Sequence, residues 1–175
     1  MNSKYLNYDE FVKYINLDKD AYDYGFSKER TWGKSAAGLL VTLNDYSEIL
    51  LLARAEGTLD QGFWGIAGGA RKVNKHGIEI SPLVTALTEA KEELGHLPYG
   101  KLNTRPYVYH KPCSRFKYYT FFLEISPAIK KIYQPRLNWE HFAWRWFKVN
   151  SIDERNVHPG VVNVLNNYTT FNLKK

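Results

Sequence analysis

Three carboxylates fall within five positions of one another, Glu89, Glu92 and Glu93, between the Gly68-Gly69 pair and Gly95. On a helix, residues three and four apart share a face, so these side chains would form one compact acidic cluster. Like charges at that spacing repel and weaken an isolated helix unless a cation or solvent screens them. Their hard oxygen ligands suit Mg²⁺, with Mn²⁺ as the alternative, rather than a soft metal. That is the equipment for chemistry on a phosphate. Alone, three glutamates read as a solvated helix face; the glycines that frame them tip the reading to a site.

The element that must carry them is a helix from about Pro82 to Leu94. Ser81 stands where an N-cap belongs, and Pro82 takes the first helical position, where its missing N–H costs nothing. Leu83, Val84, Leu87 and Ala90 supply an apolar stripe that Leu94 extends. Gly95 ends the run where helices commonly close in a left-handed conformation.

Gly69, followed downstream by Thr88-Glu89-Ala90-Lys91-Glu92-Glu93-Leu94-Gly95, resembles the Nudix box. Trp64-Gly65-Ile66-Ala67-Gly68-Gly69 is similar to the strand end that leads into that box, with Ala67 in place of a proline. Leu50–Arg54 resembles the preceding strand, and Glu140–Phe147 adds a later segment. The resemblance covers roughly the central third of the chain. It implies a Nudix-type α/β/α sandwich and divalent-metal-dependent cleavage of a diphosphate linkage attached to a nucleoside or similar group. In that reading Glu89, Glu92 and Glu93 hold the metal. Arg54 resembles an arginine that touches substrate phosphate, and the main chain at Gly68 and Gly69 approaches the phosphates. Asn138–Phe147 is similar to a Glu-His segment that precedes an aromatic-x-Trp strand in nucleotide-polyphosphate hydrolases. Glu140 is accordingly the candidate for an added ligand or general base, with Glu124 as competitor; the base is Glu89 or Glu140. His141 reads as a supporting or packing residue.

The chain departs from the pattern in three places. Thr88 replaces the box arginine, and the upstream glutamate falls on Ile80, one position from Glu79. Gly69 lies 20 residues before Glu89 (89 − 69), where the pattern has 15, and the extra five fall in the polar Lys72–Gly77 stretch. In the family the absent arginine and glutamate form an ion pair that braces the loop. Their joint absence fits the loss of a pair, because one buried charge left alone is costly.

At 175 residues with 44% hydrophobic content, the chain is long enough to bury a sizeable core, and no composition break divides it. The expectation is one domain over 1–175, in which 1–34 is an N-terminal extension with a helix at Tyr8–Ile15. The lone Cys113 excludes an intramolecular disulfide. The first residues lack the apolar centre of a signal peptide and no run reaches membrane-spanning length, so a cytoplasmic location without membrane contact is expected.

Net charge of +6 favours anionic partners. Between Leu94 and Leu123 there are five Lys/Arg and no carboxylate, interleaved with aromatics. Lys111 and Arg115 are the substrate-binding candidates there. Such a stretch suits a nucleotide, a cap or a single-stranded RNA end; equally, Tyr107–Lys111 and Phe116–Glu124 read as a hairpin turning near Pro112-Cys113-Ser114. Two alternatives to hydrolysis of a nucleoside polyphosphate therefore stay open: an mRNA-decapping enzyme, and a catalytically silent nucleotide- or RNA-binding module. Nothing in the sequence bears on oligomeric state.

For the remaining elements, Ser35–Leu43 and Glu48–Arg54 read as strands joined by a turn at Asn44-Asp45. Phe142, Trp144 and Trp146 alternate along a further strand. A last helix begins near Pro159 and turns Val161, Val162 and Leu165 inward. Strands with helices on either side argue for a mixed sheet between helices.

Overall fold

The computed structural model describes residues 5–6, 35–73 and 78–172. The helix expected at Tyr8–Ile15 lies outside them. Eight strands form one sheet: β1 (Tyr5–Leu6), β2 (Ser35–Leu43), β3 (Glu48–Arg54), β4 (Trp64–Gly65), β5 (Ala67–Ala70), β6 (Lys101–His110), β7 (Lys117–Ile125) and β8 (His141–Lys148). The helices among the described residues are α1 (Pro82–Leu94), α2 (Pro127–Ile132) and α3 (Pro159–Asn172). The order is β1-β6-β7-β2-β3-β4, with β5 also on β2 and β8 also on β3. Among the described strands β2 and β7 pair in parallel and the other pairs are antiparallel, so the sheet is mixed.

β2 reads SAAGLLVTL and is buried throughout because helices cover both faces of the sheet. On one face Leu39, Val41, Leu50, Leu52, Phe121 and Leu123 meet Leu83, Leu87, Ala90 and Leu94 of α1. On the other, Leu40, Ile49, Leu51 and Phe122 meet Val161, Val164 and Leu165 of α3. This is the expected α/β/α sandwich with a mixed sheet.

α1 has the expected bounds, but its N-terminus differs in detail. The Ser81 side chain makes no capping bond. Its carbonyl instead accepts from the Thr85 amide at 3.0 Å and from Thr85 Oγ1 at 3.2 Å, so the backbone starts the helix and proline sets the entry. At the other end Gly95 has φ of 73°, and a Cβ there would stand 2.9 Å from the Arg136 carbonyl oxygen. The short α2 had a readable signal in Ser126-Pro127: the Ser126 hydroxyl accepts from the Ile129 amide at 3.3 Å.

Candidate active site

α1 presents Glu89 and Glu93 to β5. The Gly68 N–H donates to Glu93 Oε2 at 3.1 Å, and Glu93 is only 1% exposed. Gly69 gives Glu89 its room: a Cβ at 69 would sit 2.6 Å from Glu89 Oε2 and 2.8 Å from its carboxyl carbon. Both glycines thus serve the glutamates directly. Behind them the Tyr118 hydroxyl lies where a Cβ on Gly38 or Gly68 would be, at 2.3 and 2.6 Å. Tyr118 is a residue that motif reading missed, because its place depends on pairing β7 with β2.

Burial is the first cause that pushes the Glu93 carboxyl up to about 9, and the charges of Glu89 and Glu140 add to it. The Gly68 N–H and Arg54 pull the other way. Glu89 is also raised, first by burial, while Lys72 opposes the shift. Lys72 Nζ lies 3.3 Å from Glu89 Oε1 and 3.9 Å from Glu92 Oε2. Burial, then Glu93 and Glu89, hold the Tyr118 phenol above its ordinary range, with Arg54 opposing. Glu89 and Glu93 are desolvated and lie close to other carboxylates, whereas Glu92 is exposed.

Arg54 and Glu140 come together. Arg54 Nη1 is 3.4 Å from Glu140 Oε2, and Arg54 Nε donates to the Leu59 carbonyl at 3.1 Å. The β3–β8 register slips between Ala53 and Arg54: Ala53 opposes Ala143 while Arg54 opposes His141. This bulge turns His141 to the Arg54 side, since paired residues share a face. His141 is 4% exposed, and neither ring nitrogen has a protein hydrogen-bond partner. Burial, then Arg54, lowers its pKa to about 4, which keeps the ring neutral.

Glu124 does not compete with Glu140. It shares a β7 face with Phe122, whose neighbours belong to the α3 side, and its Oε1 accepts from the Tyr46 hydroxyl. Lys111 and Arg115 are exposed in the β6–β7 turn, where Cys113 has φ of 56°. Among the described residues, neither forms an ion pair with the glutamates.

The loop brace expected to be lost exists in another form. Arg71 Nη1 pairs with Glu79 Oε2 at 2.6 Å, and Arg71 Nε donates to the Ile80 carbonyl at 2.8 Å. Ser35 Oγ lies 3.3 Å from the same guanidinium. The Ile80 amide bonds to the Lys72 carbonyl at 2.9 Å, and Val73 bridges Glu79. Arg71, just after the glycines, ties this loop to Glu79, Ile80 and Ser35.

As positioned, no three His, Cys, Asp or Glu side chains among the described residues enclose a cation site. The donor chemistry nevertheless fits a hard divalent ion: buried carboxylates of raised pKa gain most from an added positive charge.

A model of the NUDIX domain matches residues 33–168, and the chain belongs to the Nudix family of hydrolases. A Nudix hydrolase from M. smegmatis, RenU, is 21% identical, with 83% of this chain and 90% of that one covered at a TM-score of 0.58. A MutT protein from Methanosarcina mazei Go1 is 18% identical, with 83% and 99% covered and a TM-score of 0.58. An Ap4A hydrolase from C. elegans, solved as a binary complex, is 17% identical, with 81% and 99% covered and a TM-score of 0.51. At these identities the likeness is one of fold. No curated protein matches the chain. Among the described residues, no helix is long and apolar enough to cross a membrane.

Proposed function

We propose that the chain hydrolyses a diphosphate linkage in a nucleoside polyphosphate or a related nucleoside-diphosphate-linked compound, with Mg²⁺ or Mn²⁺ as cofactor. The observation that carries this reading is the buried Glu93, bonded to the Gly68 amide and crowded by Glu89 and Glu140. Lys72 and Arg54 compensate the cluster only at its edges, burial of the remaining charge is costly, and a cation relieves it.

Glu89, Glu92 and Glu93 are the residues that would hold the ion. When bound, it supplies positive charge against the diphosphate oxygens and acidifies water. Glu140 or Glu89 accepts the proton of the attacking water. The bond from phosphorus to the bridging oxygen then breaks, and the electron pair leaves with the departing phosphate. Arg54, held between Glu140 and the Leu59 carbonyl, donates to a phosphate oxygen as charge builds there. Arg71 and Glu79 keep the loop in register so that Gly68 and Gly69 stay against the glutamates.

The test is hydrolysis with and without Mg²⁺ by the wild type and the Glu92→Gln/Glu93→Gln double variant. The panel holds nucleoside triphosphates, dinucleoside polyphosphates, nucleotide sugars and capped RNA. Metal-dependent cleavage that the variant lacks is expected. Cleavage at the wild-type rate by the folded variant would overturn the assignment.

A further inference from the structure

Two of the exposed large apolar side chains flank the Glu140-His141 pair: Trp139 is 79% exposed and Phe142 68%. A third, Leu59 at 64%, lies on the loop whose carbonyl holds Arg54. The backbone fixes how the two rings are presented. Asn138 closes a turn, its carbonyl accepting from the His141 amide at 3.4 Å and its Oδ1 from the Glu140 amide at 3.0 Å. Trp139 therefore stands at the tip of that turn. The Glu140 carbonyl accepts from the Ala55 amide at 2.8 Å, which ties the turn to the end of β3. Phe142 is the unpaired residue of the bulge, opposed by nothing on β3, so the same irregularity that turns His141 inward turns Phe142 to solvent.

Other aromatic side chains nearby are employed. Trp64 meets Phe147 edge to face at 5.0 Å, and Lys130 lies over Trp146 at 5.4 Å. Trp139 and Phe142 contact no other ring or cation among the described residues. Two apolar rings left exposed beside a charged site, on backbone held by main-chain bonds, are placed to meet a ligand. A flat aromatic group suits such rings, because every nucleobase offers a π face for stacking.

Resting on the proposed function, we infer that Trp139 and Phe142 form a stacking platform for the substrate's nucleobase, next to the Arg54–Glu140 pair. The platform makes the protein selective for diphosphates that carry a nucleoside over those without a ring. Arg54 and the acidic cluster take the phosphates; the exposed rings take the base.

Calorimetry in Mg²⁺ tests this with hydrolysis-resistant α,β-methylene analogues of adenosine and guanosine diphosphate, and with methylenediphosphonate, which has the same bridged phosphorus pair but no base. Wild type is expected to bind a nucleoside analogue about tenfold or more tighter than methylenediphosphonate. Trp139→Ala or Phe142→Ala should remove about tenfold of that advantage and leave methylenediphosphonate binding unchanged, while Trp139→Phe keeps it. Undiminished nucleotide affinity in both alanine variants would overturn the platform alone and leave the rings to another occupant, such as an apolar protein segment. Equal losses for all three ligands would also overturn it, by showing damage to the phosphate site. A wild type that binds none of them would overturn both this inference and the proposed function.

Discussion

Replacing Glu93 with glutamine removes one charge at nearly constant shape, and the consequence for the metal-free protein can be worked out. A carboxyl raised from 4.5 to about 9 is protonated in the folded state and ionised in the unfolded state between those values. The folded state then binds the extra proton, so stability falls as pH rises through this window, by about 1.4 kcal/mol per pH unit for one whole proton. Over the full window the ceiling is on the order of 6 kcal/mol, comparable to the entire stability of a small domain. Glu93→Gln keeps an oxygen for the Gly68 N–H and loses this slope, so the variant should gain on the wild type steadily from pH 5 to pH 9. Urea unfolding followed by tryptophan fluorescence in a chelator gives both curves. We expect them to diverge by at least about 2 kcal/mol across that range, and saturating Mg²⁺ to restore the wild type at pH 8 but not the variant. Parallel curves in chelator would refute the account of a desolvated, proton-holding Glu93.

Other outcomes follow from the same geometry. Gly69→Ala puts a methyl group into the Glu89 carboxylate, whose flexible end can swing away; the fold should survive by circular dichroism while kcat falls by roughly a hundredfold. Arg71→Ala and Glu79→Ala should each cost about 1–2 kcal/mol in urea unfolding. A double-mutant cycle should show that the two losses are shared rather than additive. The His141 ring should show no titration midpoint between pH 5 and 8 by NMR, since its pKa is lowered to about 4. A midpoint near the ordinary histidine value would contradict its burial beside Arg54.

Local patterns made much of this structure legible in advance. β2, β3 and α1 have the expected bounds, because mostly apolar runs, a turn at Asn44-Asp45 and a Ser-Pro start are written in neighbouring residues. Resemblance singled out Arg54 and Glu140 separately, and their meeting shows only in the β3–β8 pairing. What stayed hidden depends on partners distant in the chain. Glu124 is turned to the α3 side by β7 alternation, which needs the register with β2. Arg71 can be recognised as a brace only once Glu79 and Ser35 are seen to close on it. The inward turn of His141 hangs on a one-residue slip against β3. Tyr118 enters the site region because Gly38 and Gly68 leave a gap for its hydroxyl.

The division of β2 between its partners bears on when the site comes into being. Its first half pairs with β5, which leads into α1 and the acidic cluster; its end meets β3, which with β8 holds Arg54 and Glu140. Along its whole length β2 is matched to β7, 82 positions later by the Ser35–Lys117 register (117 − 35). Contacts so distant in sequence form slowly. During synthesis, β3 has no strand to hold Glu140 against Arg54 until His141–Lys148 has left the ribosome. Until then Glu93, which packs against Gly68, lacks the added charge of Glu140 beside it. If the proposed divalent ion binds there, it would favour this last docking step as a ligand of the folded state.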